Sequence, residues 1–154
     1  MPAPQRYYLP VVLWARPAAL SPVPIDPAAT PLAAPAGRLA FPVPGGSISQ
    51  FYRAGHQAVD IAAAPGVPVV TAAAGTVVSA GWRNNGGGLV VEIDHGNGLN
   101  TVYNHLGSIS VVAGQYVGRG ATVGGMGCSG VCLGPHVQFD VRIKGRLIDP
   151  MGVL

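Results

Sequence analysis

The chain has 154 residues, of which 49% are hydrophobic and 10% are charged, so wholesale disorder is excluded and one domain with an additional segment is expected. Its formal net charge is only +3 and the basic residues form no clustered stripe, which argues against nucleic-acid binding. The 23 glycines and 15 prolines favour turns and short strands over helices, and we therefore predict an all-β fold.

Residues 1–37 are predicted to form an N-terminal arm and a Pro/Ala-rich linker. The apolar run LPVVLWA holds only seven residues, far fewer than the ~20 that span a bilayer, and no clear signal-peptide cleavage site follows it. Six prolines between positions 17 and 35 favour an extended, polyproline-like strap. The aromatic side chains of Tyr7, Tyr8 and Trp14 favour a docking peptide, and the alternative is a floppy tail.

Residues 38–154 are predicted to be the folded domain, built from short β segments separated by glycine. GLVVEID (88–94) is joined to LNTVYNHL (99–106) by the turn signal HGNG, which predicts an antiparallel hairpin. Within this hairpin, Glu92 and Asp94 are expected to be solvated strand residues.

Two cysteines, Cys128 and Cys132, lie in the glycine-rich loop GCSGVCLGP. A small disulfide-closed loop is sterically plausible here and would imply an oxidising compartment. The alternatives are two reduced thiols in a tight turn or a zinc site shared with His136. We predict the disulfide.

The last predicted strand, which begins at His136, has the clearest periodicity. Alternation with a period of two predicts one core face and one polar face. The valines Val137 and Val141 and the phenylalanine Phe139 are predicted to lie in the core, and Ile143 continues the alternation. The polar face carries His136, Gln138 and Asp140. Side chains two residues apart on one face can converge on a single ion.

Three of the four histidines, His56, His105 and His136, lie in segments predicted as strand edges beside glycine turns. Hydrolytic zinc sites take three protein ligands from His, Asp or Glu and keep a fourth position for water, whose pKa falls to about 7. His56 and Asp60 have the four-residue spacing of a local metal clamp. The fourth histidine, His95, opens the HGNG turn and is predicted to stabilise that turn through local hydrogen bonds.

The ordered motifs of the domain resemble the LytM/lysostaphin-type (Gly-Gly endopeptidase-like) zinc metallopeptidases over roughly residues 39–152. The matching segments are HQAVDIAAAPGVPVVTAAAGTVVSAGW, VEIDHGNGLNTVYNHL, VVAGQYVGRGATVG and GPHVQFDVR. The resemblance implies a small antiparallel β-sheet or sandwich of the duplicated hybrid motif type, with a long groove and peptidoglycan peptides as substrate. VVAGQYVGRGATVG is also similar to lipoyl and biotinyl carrier repeats, but those need a lysine at a hairpin tip, and the only lysine, Lys144, lies in a predicted strand.

Carried over by residue, the resemblance makes His56 and Asp60 the first two zinc ligands and makes His105 and His136 the catalytic pair that orients and deprotonates water. The third ligand of that family is the second histidine of a His-x-His strand. In this chain the position is Gln138, whose neutral amide oxygen is a poorer zinc donor than imidazole. Zinc is therefore expected to be weakly bound or absent.

The resulting hypothesis is a peptidoglycan-directed domain of reduced or lost hydrolase activity that acts as a cell-wall-binding, regulatory or structural module. The alternative is an active zinc endopeptidase that cleaves peptide cross-bridges, for example as a phage tail or virion-associated lysin. Either function predicts an extracytoplasmic location, in the cell envelope, secreted or on a virion. Residues 1–37 would contact other subunits of such an assembly.

Overall fold

A computed structural model describes residues 38–154, which form two antiparallel β-sheets and one 3-10 turn. The strands are β1 Ser47–Gln50, β2 Val59–Ala62, β3 Pro68–Val70, β4 Gly75–Arg83, β5 Gly88–Asp94, β6 Leu99–Leu106, β7 Ser108–Ile109, β8 Tyr116–Val117, β9 Thr122–Gly125, β10 His136–Ile143 and β11 Arg146–Ile148. The 3-10 turn is Pro150–Gly152. Across this part of the chain there is no α-helix, and the predicted all-β class is confirmed. The expectations for residues 1–37 lie outside the described residues.

The larger sheet has eight strands, in the order β1-β2-β10-β6-β5-β4-β8, with β11 paired to the second half of β10. The smaller sheet has the order β3-β9-β7. The predicted hairpin is confirmed, because β5 and β6 pair antiparallel on either side of the HGNG turn. Strand β10 lies between β2 and β6, so it is the strand through which residues from three segments of the chain come together.

One hydrophobic core draws on both sheets. Val69 and Val123 come from the smaller sheet, whereas Ile61, Tyr103 and Phe139 come from the larger one, and all five are fully buried. The rings of Tyr103 and Phe139 pack with their centroids 5.4 Å apart. Burying an apolar side chain of this size stabilises the fold by roughly 1.5–3 kcal/mol, which explains how so short a chain can fix the position of its central strands.

The alternation of β10 is confirmed at Val137, Phe139 and Val141, which are fully buried. The alternation continues in the sequence to Ile143, but that side chain is 39% exposed. This residue ends β10 beside the turn to β11, where its neighbour across the ladder is Arg146. At that point the strand extends past the hydrophobic core. The side chain of Ile143 therefore stays exposed although the alternation of the sequence continues.

Glu92 is not a solvated residue, as the sequence had suggested. Its carboxylate contacts the guanidinium groups of Arg83, at 2.6 Å, and Arg142, at 3.4 Å, and its side chain is only 17% exposed. The two arginines lie on β4 and β10, so only the order of the strands in the sheet could reveal the contact. Asp94, by contrast, is exposed as expected and accepts a hydrogen bond from the backbone of Gly96.

The backbone amide of His95 donates to the carbonyl of Leu99 across the turn, as a local role predicts, but its side chain also reaches beyond the turn. Its ring is 5% exposed, with Nδ1 2.9 Å from the carbonyl oxygen of Ala74 and Nε2 2.7 Å from the hydroxyl of Thr101. The Thr101 hydroxyl in turn lies 2.9 Å from that of Tyr103. His95 is therefore part of a buried polar network that ties the hairpin to the start of β4.

Candidate metal centre

Three neighbouring strands place polar side chains on one face of the larger sheet. In the ladders, Asp60 of β2 lies opposite Gln138 of β10, which lies opposite Asn104 of β6. His136 begins β10 and His105 lies near the end of β6. The predicted site residues are therefore brought together by strand pairing, although they are spread over more than half of the described chain.

His56 and Asp60 face each other through atoms that have no hydrogen-bond partner. Nε2 of His56 lies 3.2 Å from Oδ1 of Asp60, and within residues 38–154 both atoms are buried without a partner of hydrogen-bonding geometry. An orphaned buried polar atom costs about 1–3 kcal/mol. Two such atoms, a nitrogen and a carboxylate oxygen, are the donor types that zinc takes, so the pair fits one cation between them.

A second histidine approaches the same carboxylate from β10. Nε2 of His136 lies 3.9 Å from Oδ2 of Asp60, and the rings of His105 and His136 have centroids 4.8 Å apart. His56 and His136 thus both approach Asp60, and His105 joins this group through its contact with the His136 ring. Which of them bind a metal and which act on substrate stays a prediction.

Gln138 is held by its neighbours rather than left free to rotate. Its Nε2 donates to Oδ1 of Asp140 at 3.2 Å, while Asn104 Nδ2 donates to the Gln138 backbone carbonyl at 3.0 Å and faces Oδ2 of Asp140 at 3.5 Å. Burial raises the pKa of the Asp140 carboxyl, and the hydrogen bond from Gln138 and the charge of Arg142 oppose that shift. Because the amide nitrogen is engaged, the amide oxygen is the atom with which Gln138 could meet a cation.

Gln50 is a residue of the site that the sequence did not reveal. It lies opposite Asp60 in the β1–β2 ladder, and with its amide oriented to satisfy both ends, Nε2 donates to Asp60 Oδ2 at 3.1 Å and Oε1 accepts from Arg53 at 2.7 Å. One carboxylate oxygen of Asp60 thus has a neutral donor, and the other, Oδ1, is the orphan. Only the β1–β2 register could have identified this contact.

Both candidate catalytic histidines are oriented by carbonyl groups of the loop before β10. Nδ1 of His105 lies 2.9 Å from the carbonyl oxygen of Ser129, and Nδ1 of His136 lies 2.8 Å from that of Gly134. A carbonyl oxygen can only accept, so each Nδ1 carries the proton and each neutral ring keeps Nε2 as its basic atom. The loop therefore sets the tautomer that a general base at this site requires.

The backbone of His105 has a φ of +64°, in the left-handed region that non-glycine residues rarely occupy. Its amide donates to the carbonyl of Gly87 at 2.8 Å, and its own carbonyl accepts from the amide of Ser129 at 3.4 Å. Strain of this kind persists only where surrounding contacts fix it, and it concentrates at functional sites. It is an independent indication that the position of this ring matters.

A disulfide joins Cys128 and Cys132, as predicted, and closes the loop that carries Ser129. The hydroxyl of Ser129 donates to the carbonyl of Leu106 and accepts from the amide of Leu89, at 2.6 and 2.9 Å. The loop is thereby attached to the ends of both hairpin strands. Ser129 was not among the predicted residues, because its contacts span 23 and 40 positions of sequence.

A cleft of about 400 Å³ runs along this face of the sheet. Of the predicted site residues, His105 and Gln138 line it, whereas His56, Asp60 and His136 do not, and the lining also includes Arg83 and Arg142. Amide side chains and glycine backbone dominate the rest of the lining, through Asn85, Gly86, Gly87 and Asn104. Such a surface offers hydrogen-bond donors and acceptors to an extended peptide.

The donor set around Asp60 offers two zinc-type ligands, His56 and Asp60, and does not form a complete metal site. Among the described residues, no group of three or more His, Cys, Asp or Glu side chains is arranged to hold a metal. His56 and Asp60 supply two ligands, and the third position of the family pattern is the amide of Gln138.

Within residues 38–154, no helix is long and apolar enough to cross a membrane.

Comparison with protein families gives one match to the domain. The model described as peptidase family M23 matches residues 54–150, a stretch that contains all five predicted site residues. An uncharacterized metalloprotease of Haemophilus influenzae is 37% identical over 98 residues, which are 64% of this chain and 21% of that protein. The peptidoglycan DD-endopeptidase ShyA of Vibrio cholerae is 39% identical over 96 residues, 62% of this chain and 22% of that protein. This chain thus spans about a fifth of these relatives.

Solved structures give the same likeness at the level of the fold. A peptidase M23 of Pseudomonas aeruginosa superposes with a TM-score of 0.72 at 32% identity, over 79% of this chain and 53% of that one. Lysostaphin of Staphylococcus simulans gives 0.69 at 28% identity, over 75% and 51%. A chain of the SpoIIQ–SpoIIIAH pore forming complex also gives 0.69, at 26% identity, over 77% and 91%.

Proposed function

The chain belongs to peptidase family M23, and from this membership we propose that it binds peptidoglycan peptides in its cleft with hydrolytic activity that is reduced or lost. The single observation that carries the proposal is the donor set around Asp60. Two zinc-type ligands, His56 and Asp60, face each other through orphaned atoms, and the third position holds the amide of Gln138.

Peptidoglycan is proposed as the ligand because a relative of this chain is named for acting on it. One relative is named a peptidoglycan DD-endopeptidase, and a structural neighbour is named an antimicrobial peptidase. The cleft beside Gln138 is open and lined with amide and backbone groups, which suits a peptide more than an apolar ligand. An extracytoplasmic location follows as part of the same proposal, and the disulfide supports it, because such bonds persist in oxidising compartments.

In this proposal His56 and Asp60 would hold a zinc ion, with Gln138 contributing at most its amide oxygen. When bound, zinc supplies a polarising positive charge and lowers the pKa of a ligand water to about 7. Loss of mere supporting contacts commonly weakens a metal site 10–100-fold, and replacing a ligand is expected to cost at least as much. The chain's own contribution to chemistry is the pair His105 and His136, whose Nε2 atoms can accept a proton at the site.

Two alternatives remain distinct from this proposal. In the first, the chain is an active zinc endopeptidase that cleaves peptide cross-bridges, for example as a lysin carried on a phage tail. In the second, the domain is a structural part of an extracellular or virion assembly, with residues 1–37 as the contact to other subunits. The second is supported by the neighbour from a pore forming complex, which has the same fold in an assembly.

Zinc stoichiometry with a matched restoring variant tests the proposal. Wild-type protein and Gln138→His would be purified in parallel, supplied with one equivalent of zinc, and then exchanged exhaustively into metal-free buffer to remove unbound zinc before elemental analysis. We expect substoichiometric zinc in the wild type and one zinc per chain in the variant. Pull-down with purified peptidoglycan sacculi is expected to retain both proteins, since every residue of the cleft lining other than Gln138 is the same in the two.

The outcomes separate the alternatives. Stoichiometric zinc in the wild type together with release of peptides from sacculi would establish the active enzyme and overturn the proposal. Failure of both proteins to bind sacculi would favour the structural role, which analytical ultracentrifugation of the full chain and of residues 38–154 would then test. A His56→Ala variant that binds as little zinc as the wild type would indicate that the residual metal is nonspecific.

A further inference from the structure

The lining of the cleft includes two arginines whose guanidinium groups share one carboxylate, unlike isolated surface charges. Arg83 comes from β4 and Arg142 from β10, and both line the cleft. Their guanidinium groups meet at one carboxylate, that of Glu92, with one arginine on each of its oxygens. Their side chains are about one-third exposed or less, so both are held in place while remaining accessible to a ligand.

Glu92 neutralises only one of the two positive charges. It does not line the cleft, so it acts from behind the two guanidinium groups rather than meeting a ligand itself. Asp140 also lines the cleft, and its carboxylate accepts from the amides of Gln138 and Asn104 and feels the charge of Arg142. Within the described part of the chain, neither arginine forms an ion pair with Asp140. The case for a ligand here therefore rests on the N–H groups that the two arginines leave unbonded.

Each guanidinium also keeps unused donors. An arginine has five N–H groups in a planar fork. In the described residues, Arg83 bonds Ser79 and Glu92 through the same terminal nitrogen, Nη2, and Arg142 reaches Glu92 only through Nη1 at 3.4 Å. One terminal nitrogen of each arginine is thus left for a ligand, and a pair of such groups matches the two oxygens of a carboxylate.

We propose that Arg83 and Arg142 form a subsite that binds a free carboxylate of the peptide lying in the cleft. This inference rests on the proposed peptide-binding function and adds the chemical group that the cleft selects. Glu92 positions the two arginines and fixes the distance between them. The subsite would orient a peptide so that its carboxylate lies at the arginine end and its backbone passes Gln138 and His105.

The experiment compares two probes that differ in one group. A soluble peptide ending in D-alanyl-D-alanine with a free carboxylate, and the same peptide as its carboxamide, would be titrated into the full chain by isothermal titration calorimetry. We expect the wild type to bind the carboxylate form about tenfold more tightly, the size of one charge-assisted hydrogen bond. The preference is expected to shrink as sodium chloride is raised, because screening weakens partly exposed ion pairs.

Three variants assign the preference to its residues. Arg83→Gln and Arg142→Gln are each expected to bind the two probes about equally. Arg146→Gln is the matched control, because Arg146 is exposed on β11 and does not line the cleft, and its preference is expected to be unchanged. Circular dichroism would verify that each variant is folded before titration.

Failure of this inference is distinguishable from failure of the proposed function. If the wild type binds both probes equally, or if Arg146→Gln loses the preference as much as Arg142→Gln does, the subsite is overturned although peptide binding stands. If neither probe binds and sacculi are retained, the subsite is overturned for this class of peptide. If neither probe nor sacculi are retained, both proposals are overturned together.

Discussion

The carboxylate of Asp60 is the point where three segments of the chain meet. Gln50 donates to one of its oxygens from β1, His136 approaches the same oxygen from β10, and His56 faces the other oxygen from the segment before β2. The orphaned contact with His56 destabilises the metal-free protein unless a proton or a cation lies between the two atoms. Asp60 therefore lowers the stability of the metal-free protein, and binding of a proton or a cation between Asp60 and His56 would offset that cost.

Because the contact between His56 and Asp60 lacks a hydrogen bond, Asp60→Asn is expected to stabilise the metal-free protein. In buffer with a chelator, the variant is expected to be more stable than the wild type by about 1 kcal/mol, because the new amide can donate to His56 Nε2 and removes a buried charge. Urea unfolding followed by fluorescence measures the difference. In the zinc-loaded Gln138→His background the same substitution should destabilise, since it removes a ligand. A loss of stability in both backgrounds would show that Asp60 is structural.

His95 predicts a pH dependence of stability that is separate from the metal centre. Burial lowers the pKa of this imidazole below its ordinary value of 6.5, whereas the bond to Ala74 and the charge of Asp94 act in the opposite direction. Because the folded pKa is lower than the unfolded one, the unfolded chain binds more protons as the solution is acidified. The stability that neutral His95 provides is therefore present above pH 6.5 and lost as the pH falls below it.

Urea unfolding at pH 7.5 and 5.5 tests this dependence. His95→Gln is expected to be less stable than the wild type at the higher pH by about 1–3 kcal/mol, because it disrupts the bonds to Ala74 and Thr101. Between the two pH values the variant should lose less stability than the wild type. An equal loss in both proteins would mean that other groups account for the acid sensitivity.

At the scale of elements, the disulfide loop is the part that gives the site its geometry. It supplies the carbonyl that orients His105 and, just beyond the second cysteine, the one that orients His136. The double variant Cys128→Ser, Cys132→Ser is expected to lose about 2 kcal/mol of unfolding free energy, the chain-entropy value for a loop of this length. The Nδ1–H resonance of His105 should broaden in nitrogen-15 NMR spectra, because its acceptor becomes less ordered.

Reduction of the wild type with dithiothreitol provides the control for this variant. It is expected to reproduce both changes in the wild type and to have no effect on the double variant. A double variant with wild-type stability and a sharp His105 resonance would show that the hydrogen bonds of Ser129 hold the loop without the covalent bond.

The glycine at the start of β5, Gly88, provides a second test of how the disulfide loop packs against the sheet. Gly88 has a φ of +68°, and a Cβ atom there would collide with the backbone of Ser129 and Gly130. Gly66 has a similar φ of +83° with nothing near the position of a Cβ atom. Gly66→Ala is therefore expected to cost only the left-handed penalty of about 1–2 kcal/mol.

Gly88→Ala should cost that penalty and about 1–3 kcal/mol more, because it also separates two packed backbones. Thermal unfolding by circular dichroism compares the two variants. Equal costs would mean that the disulfide loop moves aside freely, in which case it could not position His105 as firmly as its contacts indicate.

Features of the fold that arise between residues close in the sequence can be predicted from it, whereas contacts between distant segments cannot. The alternation of β10 and the β5–β6 hairpin are local patterns, so both are predicted correctly. The gathering of His56, Asp60, His105 and His136 is predicted only through the family resemblance, because no pattern in a single sequence states which strands are neighbours.

The contacts that the sequence does not predict all cross between strands or loops. Gln50 meets Asp60 through a ladder with a register shift, and Ser129 meets His105 across 24 positions. Glu92 of β5 contacts Arg83 on the neighbouring strand β4 and Arg142 on β10, which lies on the other side of β6. In each case the residue type is ordinary, and only the fold gives it a role.

At the scale of the whole molecule, the first and last described segments close the same core. Leu39 and Val43 are buried in it, and the amide of Leu39 donates to the carbonyl of Val153 at 2.6 Å. Strand β10, which carries Gln138, reaches this region through β11 and the 3-10 turn that follow it. The position of the candidate centre therefore depends on residues at both ends of the domain.

This closure makes the predicted domain boundary testable with two truncations that differ by six residues. Residues 38–154 are expected to unfold cooperatively, because the segment contains every side chain of the described core. Residues 44–154 lack Leu39 and Val43 and are expected to be less stable by several kcal/mol, since each large buried apolar side chain contributes about 1.5–3 kcal/mol. Differential scanning calorimetry of both fragments and the full chain measures this. Non-cooperative unfolding of residues 38–154 would place the domain boundary earlier in the chain. Equal stability of the two fragments would show that the hydrogen bond from Leu39 to Val153 and the burial of Leu39 and Val43 do not close the core.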